Sequence, residues 1–468
     1  MADVVGSKPA SPTNKIVIER PYITGIAAWA ANPRLHYPDS SLYQARLSFV
    51  DTLACMGAGA REPLVRRTAD AMFAAGASGS VATILGDASL SAPAAALVNG
   101  TAAHAHDFDD YEMPASTHPS AVIVPALLAI AGLRQVSIGA LATAYLVGYD
   151  VIVCTGLALG GYQHYLCGWH ATSTVGPIGA AAACAKLIGL PSERFAASLS
   201  LAMSTSAGLK TQFGTDAKSL HAGLAARIGV EVALLAEAGL TANPSVTDGA
   251  YGFFARYGGG SQVAQIPIFD VDAAYAMETH PVLRKPWPSC SYTHRSIEAA
   301  LILARAAGFD INRVAQGTIR LPEPYYRVAP FLAPNTPAQA RFSVLYCVAA
   351  ALYDGTLTPD SFAESAINRP AVHSVMARFA VDAYDAGPSL DDMSPSFPDT
   401  VSLRLMDGAE HSETVADVKG GVNNPLCESD IIEKFAFCGG PIDVLEFLLS
   451  GETHKLFRLS SLRWTHQK

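Results

Sequence analysis

Apolar positions recur at helical spacing through most of the first half of the chain. In Ser40–Gly57, Leu42, Ala45, Phe49, Leu53 and Ala54 share one face, which predicts a helix. Ile23–Ala31, Pro63–Ala75 and Ala92–Ala105 predict three more. Ser120–Leu133 begins after Pro119, a residue suited to a first helical position. Val136–Leu159, Thr172–Gly189, Pro191–Ser204, Gly223–Ala238 and Thr247–Tyr257 complete a mostly helical block. Their alanines and glycines allow close helix packing. VATILGD has β-like spacing but is short. No fixed-period repeat is evident.

The pattern changes after Pro267. Pro281–Ser291 is rich in Pro and Trp, and Thr293–Ala307 predicts a helix. GTIRLPEP is strand-like, Pro337–Tyr353 helical, and Val375–Asp382, Thr400–Leu405 and Glu413–Val418 alternate like strands. Glu428–Leu449 returns to helix and is expected to pack back onto the first block. The prediction is a mainly α protein: a large all-helical domain from 1–267 and 420–468, and a smaller α+β lid domain from 268–419. Met1–Lys15, rich in Ser, Pro and Thr, is expected to be a mobile tail.

Half of the 468 residues are hydrophobic and only 16% are charged, enough for a large core. A net charge of −9 argues against nucleic acid or an anionic membrane as partner. An anionic ligand would need locally focused positive charge. Eight cysteines without a CxxC pair sit mostly in apolar segments, as expected of buried free thiols in a cytoplasmic protein. Met1–Arg20 lacks the apolar core of a secretory signal. Arg134, Asp150, His164 and Lys186 interrupt the most apolar stretches, so no membrane span is expected.

One stretch departs from this texture. Asn99–Ser120 reads NGTAAHAHDFDDYEMPASTHPS, with three histidines and four acidic residues between two apolar runs. Packing does not call for such a cluster; it marks a helix end opening into a polar pocket. His104, His106, Asp107, Asp109 and Asp110 have the chemistry of metal ligands, and a metal-dependent phosphohydrolase using His106 and Asp107 is one reading. A hydrogen-bonded capping cluster and a metal-free acid/base pocket are the others. His118 stands before a helix N-terminus, which attracts anions and lowers an imidazole's pKa. It fits carboxylate binding, proton transfer or a plain cap. His170, in CGWHATSTVGPIGAA, heads a second such helix or is a core histidine. Lys218, in GTDAKSLHAGLAARIG, heads a small apolar helix and either enters a cavity or stays solvated.

Arg284 and Lys285 lie in LRKPWPSCSYTH, where Pro286 and Pro288 stiffen the loop. Such a loop delivers a cation to a pocket rim or is a solvated basic turn. Tyr325 and Tyr326 end LPEPYY and offer a phenol or simply pack. There is no GxSxG, Walker loop or GxGxxG, nor a recognisable Cys-His spacing, which disfavours nucleophilic, nucleotide and hydride chemistry. A cationic pocket with several bases fits proton abstraction next to a carboxylate. A non-catalytic polycarboxylate binder is a further possibility.

The ordered blocks VNGTAAHAHDFDDYEMPASTHPS, GWHATSTVGPIGAA, GTDAKSLHAG, LRKPWPSCSYTH, QARFSVLYCVAAAL and NNPLCESDIIEKF resemble signatures of the MmgE/PrpD family. The resemblance runs from about Ile23 to Leu449. It implies the domain arrangement above, a homodimer, an active site in the cleft between domains, and no metal or organic cofactor. Family activities include 2-methylcitrate dehydration, cis-aconitate decarboxylation and iminodisuccinate epimerisation. The family's pocket positions fall on Asp107, His118, His170, Lys218, Lys285 and Tyr326; Tyr111, Thr172, Arg284 and Cys290 are expected substrate contacts.

Two departures stand out. Dehydratase-like members commonly read DFDDT followed by a histidine or aromatic residue, where this chain has Tyr111 and Glu112. The decarboxylase carries a histidine where this chain has Cys290. On these grounds the expected reaction is epimerisation of a small, iminodisuccinate-like polycarboxylate. The α proton leaves one face and returns to the other. Lys218 and Tyr326 are the expected proton carriers, Lys285, His118 and His170 the carboxylate or relay groups, and Asp107 their orienting partner. A hydro-lyase, or a decarboxylase acting on a tricarboxylate, is the alternative. His104 and His106 are expected to be structural.

Overall fold

A computed structural model describes residues 22–86, 89–258, 275–387 and 393–457. The expected tail, Met1–Lys15, and the expected boundary at Ile268 lie outside the described residues.

The buried apolar side chains form two clusters. The first runs from Tyr22 to Val282 and takes in Ile431, Phe435 and Leu448 near the C-terminus. The second contains Tyr165 and then residues from Cys290 to Val418. The C-terminal helices Glu428–Phe437 and Ile442–Leu449 therefore pack back across the first cluster, against Asp39–Gly59.

Helices Ala92–Ala103 and Asp216–Glu237 pack closely against each other in the helical cluster. Two glycines permit it. A Cβ on Gly223 would lie 2.3 Å from the Leu97 carbonyl oxygen, and one on Gly100 would lie 2.8 Å from Gly223 Cα. This contact sets the first turn of one helix beside the last residues of the other.

Several expected elements are divided. Thr172–Gly189 is two helices, Ala171–Thr174 and Gly176–Ile188, and Pro177 in the first turn of the second has no N–H to continue the first. Pro337–Tyr353 divides into Pro337–Ala340 and Val344–Asp354, the latter capped where Tyr346 N–H donates to Ser343 Oγ at 3.0 Å. Thr247–Tyr257 is helical only over Phe253–Tyr257.

In the second cluster four strands line up as Phe379–Tyr384, Val314–Pro322, Asp399–Leu405 and Glu410–Val415. The first pair is parallel and the rest antiparallel. Ile319, Leu321, Val401 and Leu403 alternate inward and are buried. Helices His294–Ala304 and Val344–Asp354 contact this sheet. The strand expected at Val375–Asp382 starts later, because Pro370–Met376 is helical. The molecule is mainly α with a smaller α+β part.

Two helices have the length and hydropathy of a membrane span, contrary to expectation: Ile138–Ala158 and Asp216–Glu237. Their most apolar windows are 78% and 56% buried inside the molecule. All eight cysteines are free, and five are buried.

Candidate active site

The Ala92–Ala103 helix ends at His104, and the chain turns sharply. Asp107 takes a left-handed φ of 51°, a region that Asp tolerates better than most residues. That turn aims its carboxylate back toward the neighbouring helix. Lys218, in the first turn of Asp216–Glu237, donates to Asp107 Oδ1 at 3.0 Å. A lysine there opposes the helix dipole, so the carboxylate offsets an unfavourable position. Lys285 donates to the same oxygen at 2.9 Å and to the Asp107 carbonyl at 2.8 Å. Burial alone would raise the Asp107 carboxyl, but Lys218 and Lys285, with His118 and His104, hold it well below the usual range.

The lysine loop is docked by backbone pairing. Tyr111 and Leu283 exchange N–H···O bonds of 2.9 and 2.8 Å. Behind this pair, Lys434 donates to the Phe108 carbonyl at 2.7 Å and the Lys285 carbonyl at 3.2 Å. It also pairs with the buried Asp51 at 2.7 Å.

Hydrogen bonds assign the protons on two imidazoles. Lys218 Nζ lies 2.7 Å from His104 Nε2, so that nitrogen accepts. His104 Nδ1 then donates to Asp109 Oδ2 at 2.7 Å. Burial first, then the lysine, lowers the His104 pKa to about 4, keeping the ring neutral. His118 Nδ1 faces the Asp110 carbonyl at 2.9 Å and Asp109 Oδ2 at 3.2 Å. Both are acceptors, so Nδ1 carries the proton and neutral His118 presents Nε2 as a lone pair. Burial lowers its pKa despite Asp109. Its backbone N–H donates to Thr172 Oγ1 at 3.0 Å.

His170 is buried, with Nδ1 3.0 Å from His221 Nδ1 and Nε2 without a partner among the described residues. Phe213 meets its ring edge-on at 5.1 Å, and the His104 ring stacks at 5.9 Å. Burial and Lys218 hold its pKa well below the ordinary value.

These groups surround two adjoining cavities. A narrow one of about 30 Å³ is lined by Asp107, His118, His170 and Lys218 from the first part of the chain, and by Cys290 and Tyr292 from the second. A wider one of about 420 Å³ shares Asp107, Lys218 and Phe342 with it. Burial pushes the Cys290 thiol up to about 12, so it is uncharged.

Asp107, Tyr111, His118, His170, Lys218 and Cys290 thus line one cavity, and Lys285, which lines neither, joins them through its bonds to Asp107. Three expected site residues do not. Tyr326 sits in the helical turn Glu323–Tyr326, packs against the second cluster and lines neither cavity; the buried tyrosines lining the narrow one are Tyr111, Tyr165 and Tyr292. Arg284 points the other way, donating at 3.0 Å to Gln44 Oε1, Gln44 O and Ser48 Oγ. Thr172 lines neither cavity and holds His118 in place instead.

His104, expected to be structural, bonds directly to Lys218. Its signal was its position at the end of the alanine-rich helix. His106 does lie apart, with Nδ1 2.8 Å from Arg341 Nη2 and Nε2 3.2 Å from the Ala58 carbonyl. It therefore shares no ligand set with Asp107. His104, Asp107, Asp109 and His118 each offer a ligand atom, all within 4.8 Å of one another. Lys218 already bonds two of these residues and Lys285 one, placing positive charge where a cation would enter.

The expected anion site at the Ser120 helix start is filled from within. Ser120 N–H donates to Asp110 Oδ1 at 3.2 Å, and its hydroxyl to Oδ2. Glu112, a departure from dehydratase-like sequences, organises a turn. It accepts from Ala115 N–H and Thr117 N–H at 2.8 Å and from the Thr117 hydroxyl at 2.6 Å.

Residues 24–266 match the MmgE/PrpD N-terminal domain and residues 287–442 the MmgE/PrpD C-terminal domain. Cis-aconitate decarboxylase of Homo sapiens is 32% identical over 73% of this chain and 71% of its own. The Mus musculus protein of that name is 31% identical over 73% and 70%. The Aspergillus terreus cis-aconitate decarboxylase is 26% identical over 89% of both chains. These relatives are cis-aconitate decarboxylases, whereas the departures in sequence pointed to an epimerase. With both domains matched in order along the sequence, the chain belongs to the MmgE/PrpD family.

Proposed function

We propose that this protein is a lyase that decarboxylates a small polycarboxylate resembling cis-aconitate. The observation that carries the reading is the pairing of two lysines on one buried carboxylate, with His118 Nε2 3.6 Å from the same carboxylate oxygen and His118 lining the narrow cavity. The relatives' activity supports the choice of reaction. Loss of CO2 leaves an electron pair delocalised into the remaining carboxylate. Lys218 and Lys285 supply positive charge where that charge develops. The tricarboxylate loses one carboxylate as CO2, and its carbon skeleton takes up one proton. Of the two histidines at the narrow cavity, His118 presents a lone pair, so His170 is the one assigned to deliver that proton. No redox step is needed.

The 30 Å³ cavity holds about one water, far less than a tricarboxylate. Substrate therefore occupies the wider cavity, which shares Asp107, Lys218 and Phe342 with the narrow one.

Epimerisation is the second reading, favoured by one observation. Cys290 is a neutral thiol at the position where the sequence departs from the decarboxylase pattern. Epimerisation would use the same lysines and two proton carriers on opposite faces.

The test is incubation of purified protein in D2O with cis-aconitate, 2-methylcitrate and one enantiomer of iminodisuccinate. Release of CO2 with one deuterium in the product is the expected result. Racemisation with deuterium uptake and no CO2 would establish the second reading. No exchange with any of the three would overturn both. Prolonged dialysis against a chelator is expected to leave the rate unchanged; loss restored by a divalent metal would bring the four-residue cluster into the chemistry. The family's homodimer is carried over as part of this proposal, with light scattering expected to give twice the chain mass.

A further inference from the structure

His170 is buried and lines the narrow cavity, and its Nε2 has no hydrogen-bond partner among the described residues. Its other nitrogen faces a second imidazole. His221 lies one turn beyond Lys218 on the same helix and is half-buried. The two Nδ1 atoms are 3.0 Å apart, a distance that requires one proton between them. Both rings are neutral, because burial and Lys218 disfavour charge on each. Lys218, His104, His221 and His118 all disfavour charge on His170, while the acids Asp107 and Glu112 line the same narrow cavity. The location of the shared proton therefore decides what His170 offers the cavity.

We infer that His221 is a positioning residue: it donates its Nδ1–H to His170 Nδ1 and so fixes His170 as the tautomer with an N–H on Nε2, aimed into the cavity. An anionic substrate needs a donor at that point, so this step rests on the polycarboxylate reading. A lone pair on Nε2 would repel a carboxylate oxygen. His221 is left with its Nε2 lone pair, for which solvent is available. The two cavity histidines then have opposite characters. His118 presents a lone pair, held by Asp109 and the Asp110 carbonyl, and His170 presents an N–H, held by His221. One pocket thus contains a base and a donor without charge on either ring.

The test uses the full-length protein labelled with 15N-histidine. The His170 signals are assigned by their loss in His170→Asn. The expected spectrum has a protonated Nε2 and an unprotonated Nδ1 on His170. His221→Ala should let both tautomers appear. His221→Asn should restore the single tautomer, because an asparagine amide can place an N–H where the Nδ1–H was.

In turnover, His221→Ala should lower kcat at least about 10-fold, with His221→Asn recovering most of it, and should have no further effect in a His170→Asn background. A proton on His170 Nδ1 in the wild type, or a spectrum unchanged by His221→Ala, would overturn the inference. The expected spectrum in a protein that turns over no polycarboxylate would overturn the functional reading and leave the tautomer assignment standing.

Discussion

Asp107 is held by its backbone as well as by its charge. Its left-handed φ of 51° suits Asp or Asn, so Asp107→Asn keeps the turn and removes only the charge. Lys218 and Lys285 would then face each other without a counter-ion. The expected result is a fall in kcat of at least about 100-fold with unchanged circular dichroism; a near-wild-type rate would exclude the lysine pair from the chemistry. Two buried groups make predictions about pH.

Burial lowers the His118 pKa below 6.5, so its lone pair is available at neutral pH and is lost only as pH falls through that lowered value. The acid limb of kcat/KM should therefore lie below the ordinary histidine range. Asp150 behaves oppositely. Burial raises it from 3.8 to about 7, while Tyr37 and the Ala276 N–H bond to it at 2.7 Å. Its folded form holds the proton more tightly than its unfolded form. Its stabilising contribution is complete below pH 3.8 and is lost as pH rises through about 7. Asp150→Asn should flatten that decline, read from melting temperatures between those limits.

At the level of elements, the site depends on how closely two helices approach. Lys218 reaches His104 because Gly223 sits against Leu97 and Thr101. Gly223→Ala would place a Cβ 2.3 Å from a backbone oxygen, and the helices must separate. We expect a loss of about 1–3 kcal/mol, together with a lower kcat as the lysine moves. Gly25→Ala, where nothing lies within 4 Å, should cost nothing measurable in either assay. Urea denaturation and steady-state rates on the two variants make the comparison. The division of expected long helices belongs to this scale too. Prolines at 177 and 441 and the cap at Ser343 interrupt runs whose apolar spacing continues across the break. Periodicity records burial, and burial continues past a helix end.

For the whole molecule, Lys434 is the main tie behind the site. It comes from a C-terminal helix, is only 7% exposed, and joins Asp51, Phe108 and Lys285, residues far apart in sequence. Lys434→Met should cost about 3–5 kcal/mol, because Asp51 is left as a buried charge. Asp51→Asn combined with Lys434→Met should recover part of that loss. A double mutant no more stable than Lys434→Met alone would mean the lysine acts through the two carbonyls instead.

The sequence by itself determined the helical block, the α+β part and most of the site's residue types, because periodicity and local capping depend on neighbours in the chain. It also singled out Asp107, His118, His170, Lys218 and Lys285 as polar residues beside helix starts and a rigid loop. Only the tertiary structure decided direction. Arg284 and Lys285 are adjacent, yet one turns to Gln44 and Ser48 and the other to Asp107. His104 joins the lysine while His106 faces Arg341. Tyr292 reaches the cavity where Tyr326 was expected. Each outcome rests on partners up to 240 residues distant, whose placement no local spacing encodes. The protons on His104 and His118 follow from the same contacts, since a tautomer is set by what each ring nitrogen meets.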